Sequence, residues 1–448
     1  MLAAALSFFS LNAQENLSEG QIENQIAQNQ NLEGGQKTKS FSSESNNTDS
    51  DDEKIKLQVS PDLKVTKINF SGLKKTKNFY IQSKVKKFLN VSVQDFDLHG
   101  LETALQLEGL FDDIQISMKN SGAGEASAEV SVKEKITFIP LPFAMYSDSS
   151  VMGGVMVLDT NAFGVKDMFA FGAFGSRDSL MGMAMFSKPP RPDGIPGFSV
   201  SVSTSKSTST LENLEKDDVL KYDSVSFFSS FTVTEQIGEF NSISLKGFFD
   251  SVSADQVDDY PEVDSLKSGG AEISYGILKS DWNGWFMSST GAEVSAGMTL
   301  YASDSEYNHA KTLSAVFHIQ QPIVDRMRFY SAGSAFYGDG LHISSYSGGG
   351  AGSVTILPGS FKTQQIAGGN AGFELALVKG KIGTISVYGD YQVVSAQDFD
   401  DEFYFMHGPN CGLRVYLAKV AFPALAMGIS YNATKNYAQF AAAMGVSM

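Results

Sequence analysis

Cysteine is almost missing: Cys411 stands alone in 448 residues, which excludes any internal disulfide. It reads as a small apolar strand residue rather than a reactive thiol. Tryptophan occurs twice and histidine five times. The sequence has no zinc-type spacing, no phosphate-cradling glycine loop ahead of a helix and no nucleophile elbow. The chain therefore reads as a non-enzyme that needs no cofactor and no metal. Basic residues are also short, with 34 Lys and Arg against 50 Asp and Glu and a net charge of −16. That balance excludes a nucleic-acid binder by overall charge. Beyond Ala13 there is no uninterrupted apolar run long enough for a helical membrane span.

What the chain has instead is alternation. Segments of about ten residues, punctuated by Gly, Asn, Asp and Ser, fill the chain from about Phe138 to Met448, as expected of membrane-spanning strands. In TISVYGDYQV, Ile385, Val387, Tyr391 and Val393 share one face, and Thr384, Ser386, Tyr388, Asp390 and Gln392 the other. In CGLRVYLA, Cys411, Leu413, Val415 and Leu417 oppose Gly412, Arg414 and Tyr416. A period of two with one oily face suits a sheet closed between lipid and a wet lumen. Phe (33), Tyr (16) and Gly (42) are plentiful, which fits aromatic girdles and crowded strands.

In chain order, residues 1–13 (MLAAALSFFSLNA) read as a signal peptide, although Lys and Arg are missing ahead of the apolar run. Residues 14–56 are dominated by Gln, Asn, Ser, Glu and Asp and read as a disordered linker. Residues 57–135 shift to a small α/β pattern. Val65–Phe70 alternates as a strand with Thr66, Ile68 and Phe70 on one side, and Gly72 turns the chain. Asn78–Leu89 carries Ile81, Val85, Phe88 and Leu89 at helical spacing. Asp97 is placed to cap a second helix with Leu98, Leu101 and Leu105 on its buried stripe, ending at Gly109. Two strands follow, Phe111–Met118 and Ala126–Val132.

On these residues the segment resembles a POTRA domain, the periplasmic unit in front of outer-membrane assembly barrels. The resemblance is carried by VTKINFSGLKKT, by LEGLFDDIQISM and by AEVSVKEK, and a single copy is present. Lys74, Lys75, Lys77, Lys84, Lys86 and Lys87 form a basic cluster in an acidic chain. It reads either as a solvated helix face or as a patch for acidic clients or lipid headgroups.

Residues 136–448 divide into about sixteen alternating segments, an even number as bacterial single-chain barrels require. Long polar links are expected at Ser207–Lys221 and Asp250–Leu266. The first segment contains Pro140 and Pro142, which remove two neighbouring donors from one strand edge. The last, Tyr437–Met448, holds Phe440 with small residues, including Ala441, Ala443 and Gly445, that offer little cross-strand packing. Together these predict a weak seam between first and last strand. The alternative reading puts both prolines in the connector below the membrane.

Glu374, Asp390 and Arg414 fall by parity on the polar faces of three consecutive segments. They read as a lumenal charge cluster that pairs internally, or as ordinary charges in a solvated pore.

The tail resembles the BamA/TamA-type outer-membrane assembly family, the bacterial surface antigen barrels. The matching residues are Gly368 and Gly369 leading into FELAL, then VYGD ending at Asp390 and CGLR ending at Arg414. The resemblance implies a loop before the twelfth strand that folds into the lumen, here Leu357, Pro358, Gly359 and Ser360. The family's arginine in that loop is replaced by Pro358, and Arg414 is the candidate to take over part of its role. The family's usual terminal aromatic is replaced by Met448. The expectation is a mainly β chain: a sixteen-stranded antiparallel transmembrane β-barrel preceded by one small α/β POTRA domain. Its implied setting is the outer membrane of a diderm bacterium, with the POTRA domain in the periplasm. The implied work is assembly, insertion or translocation of unfolded barrel or secreted clients, with accessory periplasmic proteins as further partners. The competing expectation is a passive outer-membrane channel or a structural surface antigen without assembly activity.

Overall fold

The computed structural model describes residues 60–444, apart from 123, 148–149, 192–193, 283–286, 303–306, 349–353, 380–382 and 418–424. The signal-peptide and linker expectations, and the seam residue Gly445, lie outside the described residues.

A small α/β unit comes first. Strand β1 (Lys64–Ser71) leads to helix α1 (Asn78–Val85), a 3-10 turn (Lys86–Phe88), the short β2 (Val91–Ser92), helix α2 (Leu98–Leu107), β3 (Phe111–Gly122) and β4 (Glu125–Glu134). The sheet order is β2-β1-β4-β3, with β1 and β4 parallel and β3 and β4 antiparallel. Helix α2 starts where the Asp97 carboxylate accepts the Gly100 N–H at 2.7 Å, and it buries Leu98, Leu101 and Leu105. Gly109 then takes φ +69°, a left-handed turn that glycine adopts without a Cβ clash. One detail differs from the sequence reading. A register irregularity between Val65 and Lys67 sends Val65 rather than Thr66 into the core with Ile68, while Thr66 reaches outward to Glu125.

Among the described residues, all the remaining strands but two short ones form one closed barrel of sixteen. The first eight are β5 (Phe138–Ser147), β6 (Ser150–Asp159), β7 (Met168–Ser176), β8 (Ser179–Lys188), β9 (Gly197–Glu212), β10 (Asp218–Ile237), β11 (Asn241–Gln256) and β12 (Leu266–Trp282). Then come β13 (Met287–Tyr301), β14 (His309–Val324) and β15 (Met327–Asp339). Two short strands, β16 (Ser347–Gly348) and β17 (Lys362–Thr363), pair with each other apart from the barrel. The barrel resumes with β18 (Gln365–Lys379), β19 (Gly383–Gln397), β20 (Phe403–Leu417), β21 (Leu425–Asn432) and β22 (Tyr437–Met444). Every barrel pairing is antiparallel and joins sequential barrel strands, a meander closed by β22 against β5. Among the described residues no helix is long and apolar enough to cross a membrane.

Alternation sets the two faces. On β10, Val225, Phe227, Phe231 and Val233 are exposed outward, while Phe228, Ser230, Thr232 and Thr234 are buried inward. On β19 the outward set is Ile385, Tyr391 and Val393, and Thr384, Ser386, Tyr388, Asp390 and Gln392 are buried. Outward apolar residues on such a cylinder are what lipid requires.

Two expected loops are largely strand. The Ser207–Lys221 stretch continues β9 and β10 as a hairpin whose turn is residues 213–217, and Asp250–Leu266 shortens to a link of residues 257–265. Serine and threonine alternate there as regularly as valine does lower down, so polarity concealed the period of two. Pro140 and Pro142 lie in β5, opposite Val157 and Val155 of β6, rather than in the connector.

Candidate functional site

Adjacent strands bring the lumenal charges together. Glu374 stands on β18, opposite Tyr388 of β19 and Arg328 of β15; Arg414 of β20 stands opposite Ser386 of β19. Glu374 is fully buried, and its Oε2 accepts from Arg414 Nη1 at 2.7 Å and from Arg328 Nη2 at 2.7 Å and Nε at 3.0 Å. Its Oε1 accepts from the Tyr416 hydroxyl at 2.6 Å and from the Ser386 hydroxyl. Arg328 also donates to Gln320 at 2.8 Å. A buried carboxylate with this many donors is matched in charge and in hydrogen bonds, the condition under which burying ions is tolerable.

Asp390 is handled differently. It accepts from the Tyr330 hydroxyl at 2.7 Å, from Asn410 at 2.9 Å and from Gln392 at 3.0 Å, all neutral donors. Arg414 therefore pairs with Glu374 and stacks over the rings of Tyr388 (4.2 Å) and Tyr330 (4.9 Å). The Tyr388 ring lies against a strip of glycine: a Cβ on Gly412 or Gly428 would stand 2.8 or 2.3 Å from its hydroxyl.

Residues 354–361, ahead of β17, lie inside the barrel. Val354, Ile356, Leu357 and Phe361 are buried, packed with Val394, Ala396 and Met406 of the inner wall. Gly359 stays exposed, and the Pro358 carbonyl accepts the Phe361 N–H of its own turn at 3.1 Å. The grip comes from elsewhere. Gln392 accepts the Thr355 N–H at 2.7 Å, and Ser430 donates to the Thr355 carbonyl at 2.7 Å. Asn432 and Tyr437 both donate to the Ile356 carbonyl at 3.0 Å. Gln439 donates to the carbonyls of Thr355 (3.1 Å) and Leu357 (2.6 Å). Two of these residues belong to β22, so the inserted segment holds the closing strand from inside.

The tip of the β9–β10 hairpin joins this lock. Leu214 is fully buried among the inserted residues, and its N–H donates to Asp398 at 3.2 Å. Glu215 pairs with Lys435, Lys216 lies 4.2 Å above the Tyr437 ring, and the Glu212 N–H reaches the Ser360 carbonyl at 3.4 Å. Residues from one side of the barrel mouth thus reach the last hairpin on the other.

At the seam, the described register between β22 and β5 consists of Ala441 opposite Ser147 and Ala442 opposite Tyr146. Pro140 and Pro142 lie further back along β5, where each faces β6 on its other side. Ala443 pairs inward along the chain with Ala426 of β21, and Phe440 faces outward.

At the opposite end, the α/β unit grips the β6–β7 turn. Lys75 donates to Asp159 at 2.7 Å, Asn161 donates to Thr76 at 3.0 Å, and the Lys77 N–H reaches the Gly164 carbonyl at 2.7 Å. Gly164 sits at φ +83°, and a Cβ there would stand 2.2 Å from the Lys75 carbonyl. Lys166 of the same turn and Lys84 of α1 both reach Glu108, at 3.6 and 3.4 Å, and Tyr80 donates to it at 2.5 Å. Burial alone would raise the Glu108 carboxyl, but Lys166, Lys84 and the Tyr80 hydroxyl hold it down at about 2.

Sequence reasoning puts Tyr416 on the polar face with Arg414 but does not pair it with Glu374, and it misses Arg328, Leu214, Asn432 and Gln439. Arg328 shares inward parity with Tyr330, and that was its available signal; the rest needed the strand register. Among the described residues no group of three or more His, Cys, Asp or Glu is arranged to hold a metal.

No protein-family model matches the chain, and no curated protein matches it. Solved structures do. BamA from Haemophilus ducreyi lacking POTRA domains 1–3 aligns at 12% identity and TM-score 0.54, covering 86% of this chain and 85% of that one. The chain has the BamA/CdiB-type barrel fold. CdiB from Acinetobacter baumannii aligns at 14% identity and TM-score 0.60, over 86% of this chain and 74% of that one. CdiB from Escherichia coli aligns at 12% identity and TM-score 0.57, over 99% of this chain and 98% of that one.

Proposed function

We propose that this BamA/CdiB-type barrel is an outer-membrane insertion or translocation factor, with the α/β unit acting as a POTRA-type domain on the periplasmic side. The observation that carries the reading is how the last strand is held. Tyr437 and Gln439 of that strand donate to backbone carbonyls of the segment inside the barrel. A strand tethered from within can part from β5 and still keep its place, which an opening seam requires. Strand β3 is the long edge of the α/β sheet and offers unpaired backbone groups to an extended client segment. Nothing in such a cycle needs covalent chemistry, so the protein is proposed to be a non-enzyme.

A passive channel is the weaker reading. The hairpin tip, the inserted segment and the last hairpin interlock across the mouth, with Leu214 and Ile356 fully buried. Pro358 does not weaken the proposal, because the segment is held through its backbone carbonyls and apolar side chains.

The test is a disulfide between Ser147→Cys and Ala441→Cys in a Cys411→Ser chain. In proteoliposomes with a urea-denatured client barrel, the reduced protein yields protease-resistant client and the oxidised protein does not. Equal yields before and after oxidation would sink the proposal.

A further inference from the structure

The α/β unit carries a surface that the insertion reading does not use. We infer that the outward face of α1 and the lysines flanking it bind the phosphates of anionic phospholipids in the leaflet bordering the barrel's lower rim. This rests on the barrel being a membrane span.

Two observations point to lipid. The first is aromatic continuity. Phe163, in the turn that the α/β unit grips, is 67% exposed and stacks edge-on with Phe186 at 5.9 Å. Phe186 meets Phe198 at 5.8 Å, and Phe198 meets Phe231 at 6.3 Å. This row runs along the outer wall from β8 to β10, as the aromatic girdle at a membrane interface does. The unit is fixed at the same level by the Lys77 N–H on Gly164, next to Phe163. Phe79, in the first turn of α1, is 59% exposed, a large apolar group with no place in the unit's core.

The second observation is charge. Within the basic cluster, Lys75 and Lys84 are committed to Asp159 and Glu108, and Lys87 lies 3.5 Å from Glu239. Lys74, Lys77 and Lys86 are exposed, and among the described residues no carboxylate lies within ion-pair distance of them. Three such ammonium groups on the residues flanking α1, with Phe79 exposed in its first turn, complement a phosphate surface with acyl chains beneath it. An acidic protein client would want the lysines but not Phe79 beside the girdle.

The experiment uses spin labels on the full chain in proteoliposomes. One label sits on the native Cys411, which faces outward on β20. Another is placed at Asn78→Cys in a Cys411→Ser chain, leaving Phe79 intact. A third, at Lys119→Cys in the same background, lies at the end of the sheet remote from the barrel turns. In vesicles containing phosphatidylglycerol, label 411 should report hydrocarbon, label 78 the headgroup region and label 119 water. In pure phosphatidylcholine, or with Lys74, Lys77 and Lys86 all changed to Glu, label 78 should lose its protection. Hydrocarbon at 411 with water at 78 on anionic vesicles overturns the inference alone. Water at both 411 and 78 overturns the membrane placement with it. Equal protection at 78 in both lipids, or after the Glu changes, overturns the phosphate contact.

Discussion

Glu374 is the residue on which the inner wall is most exposed to damage. Two arginines depend on one carboxylate in a buried setting. Glu374→Gln should therefore destabilise the barrel by about 3–5 kcal/mol, because it leaves cations buried without their counter-charge. The check is the urea midpoint in detergent micelles. Replacing Glu374, Arg328 and Arg414 together by apolar residues of similar volume should cost much less; an equal loss would mean that the ions contribute through something other than pairing. Parity along the strands was enough to place Glu374, Asp390 and Arg414 inside. It could not choose partners: Arg328 stands directly opposite Glu374 only because β15 skips the inserted segment and pairs with β18. Glu108 gives a second residue-scale prediction. Its folded carboxyl, at about 2, lies below its ordinary 4.5. The stabilisation is thus complete above about 4.5 and is lost as pH falls from there towards 2. Unfolding of the α/β unit followed against pH should show that loss, and Glu108→Gln should flatten it; a profile unchanged by the substitution would contradict the role.

At the scale of elements, the inserted segment is tied by carbonyls rather than by an arginine. The family resemblance implies a lumenal loop at Leu357, Pro358, Gly359 and Ser360. The resemblance does not say what holds them, since backbone acceptors leave no trace in side-chain pattern. Gln439 alone serves two of those carbonyls. Gln439→Ala should lower the local opening free energy of the segment by about 1–3 kcal/mol while leaving global unfolding nearly unchanged. Hydrogen exchange at the Thr355 amide reads this directly, and exchange as slow as in the parent chain would count against the tether. The α/β elements were legible for a simpler reason. Helix caps and apolar stripes are local signals, and only the irregularity at Thr66 depended on a neighbouring strand.

For the whole molecule, strand number was legible because a period of two survives in every segment, whereas strand length was not, because serine-rich extensions beyond the lipid band resemble loops. Those extensions have a consequence for transport. They carry Leu214, Glu215 and Lys216 across the mouth to Asp398, Lys435 and Tyr437. A barrel stoppered in this way should conduct poorly in planar bilayers until the stopper moves. Replacing residues 213–217 by a two-residue Asn-Gly turn keeps the hairpin closed but removes Leu214 from its apolar nest. Conductance should then rise, with the inserted segment becoming more accessible to protease from the same side. Should the parent chain already form a steady open pore of the same conductance as the shortened one, the passive-channel reading would replace the proposal. A rise confined to the shortened chain would instead place the closed state in the interlock of hairpin, inserted segment and last strand, the same contacts that the proposed opening would rely on to hold β22.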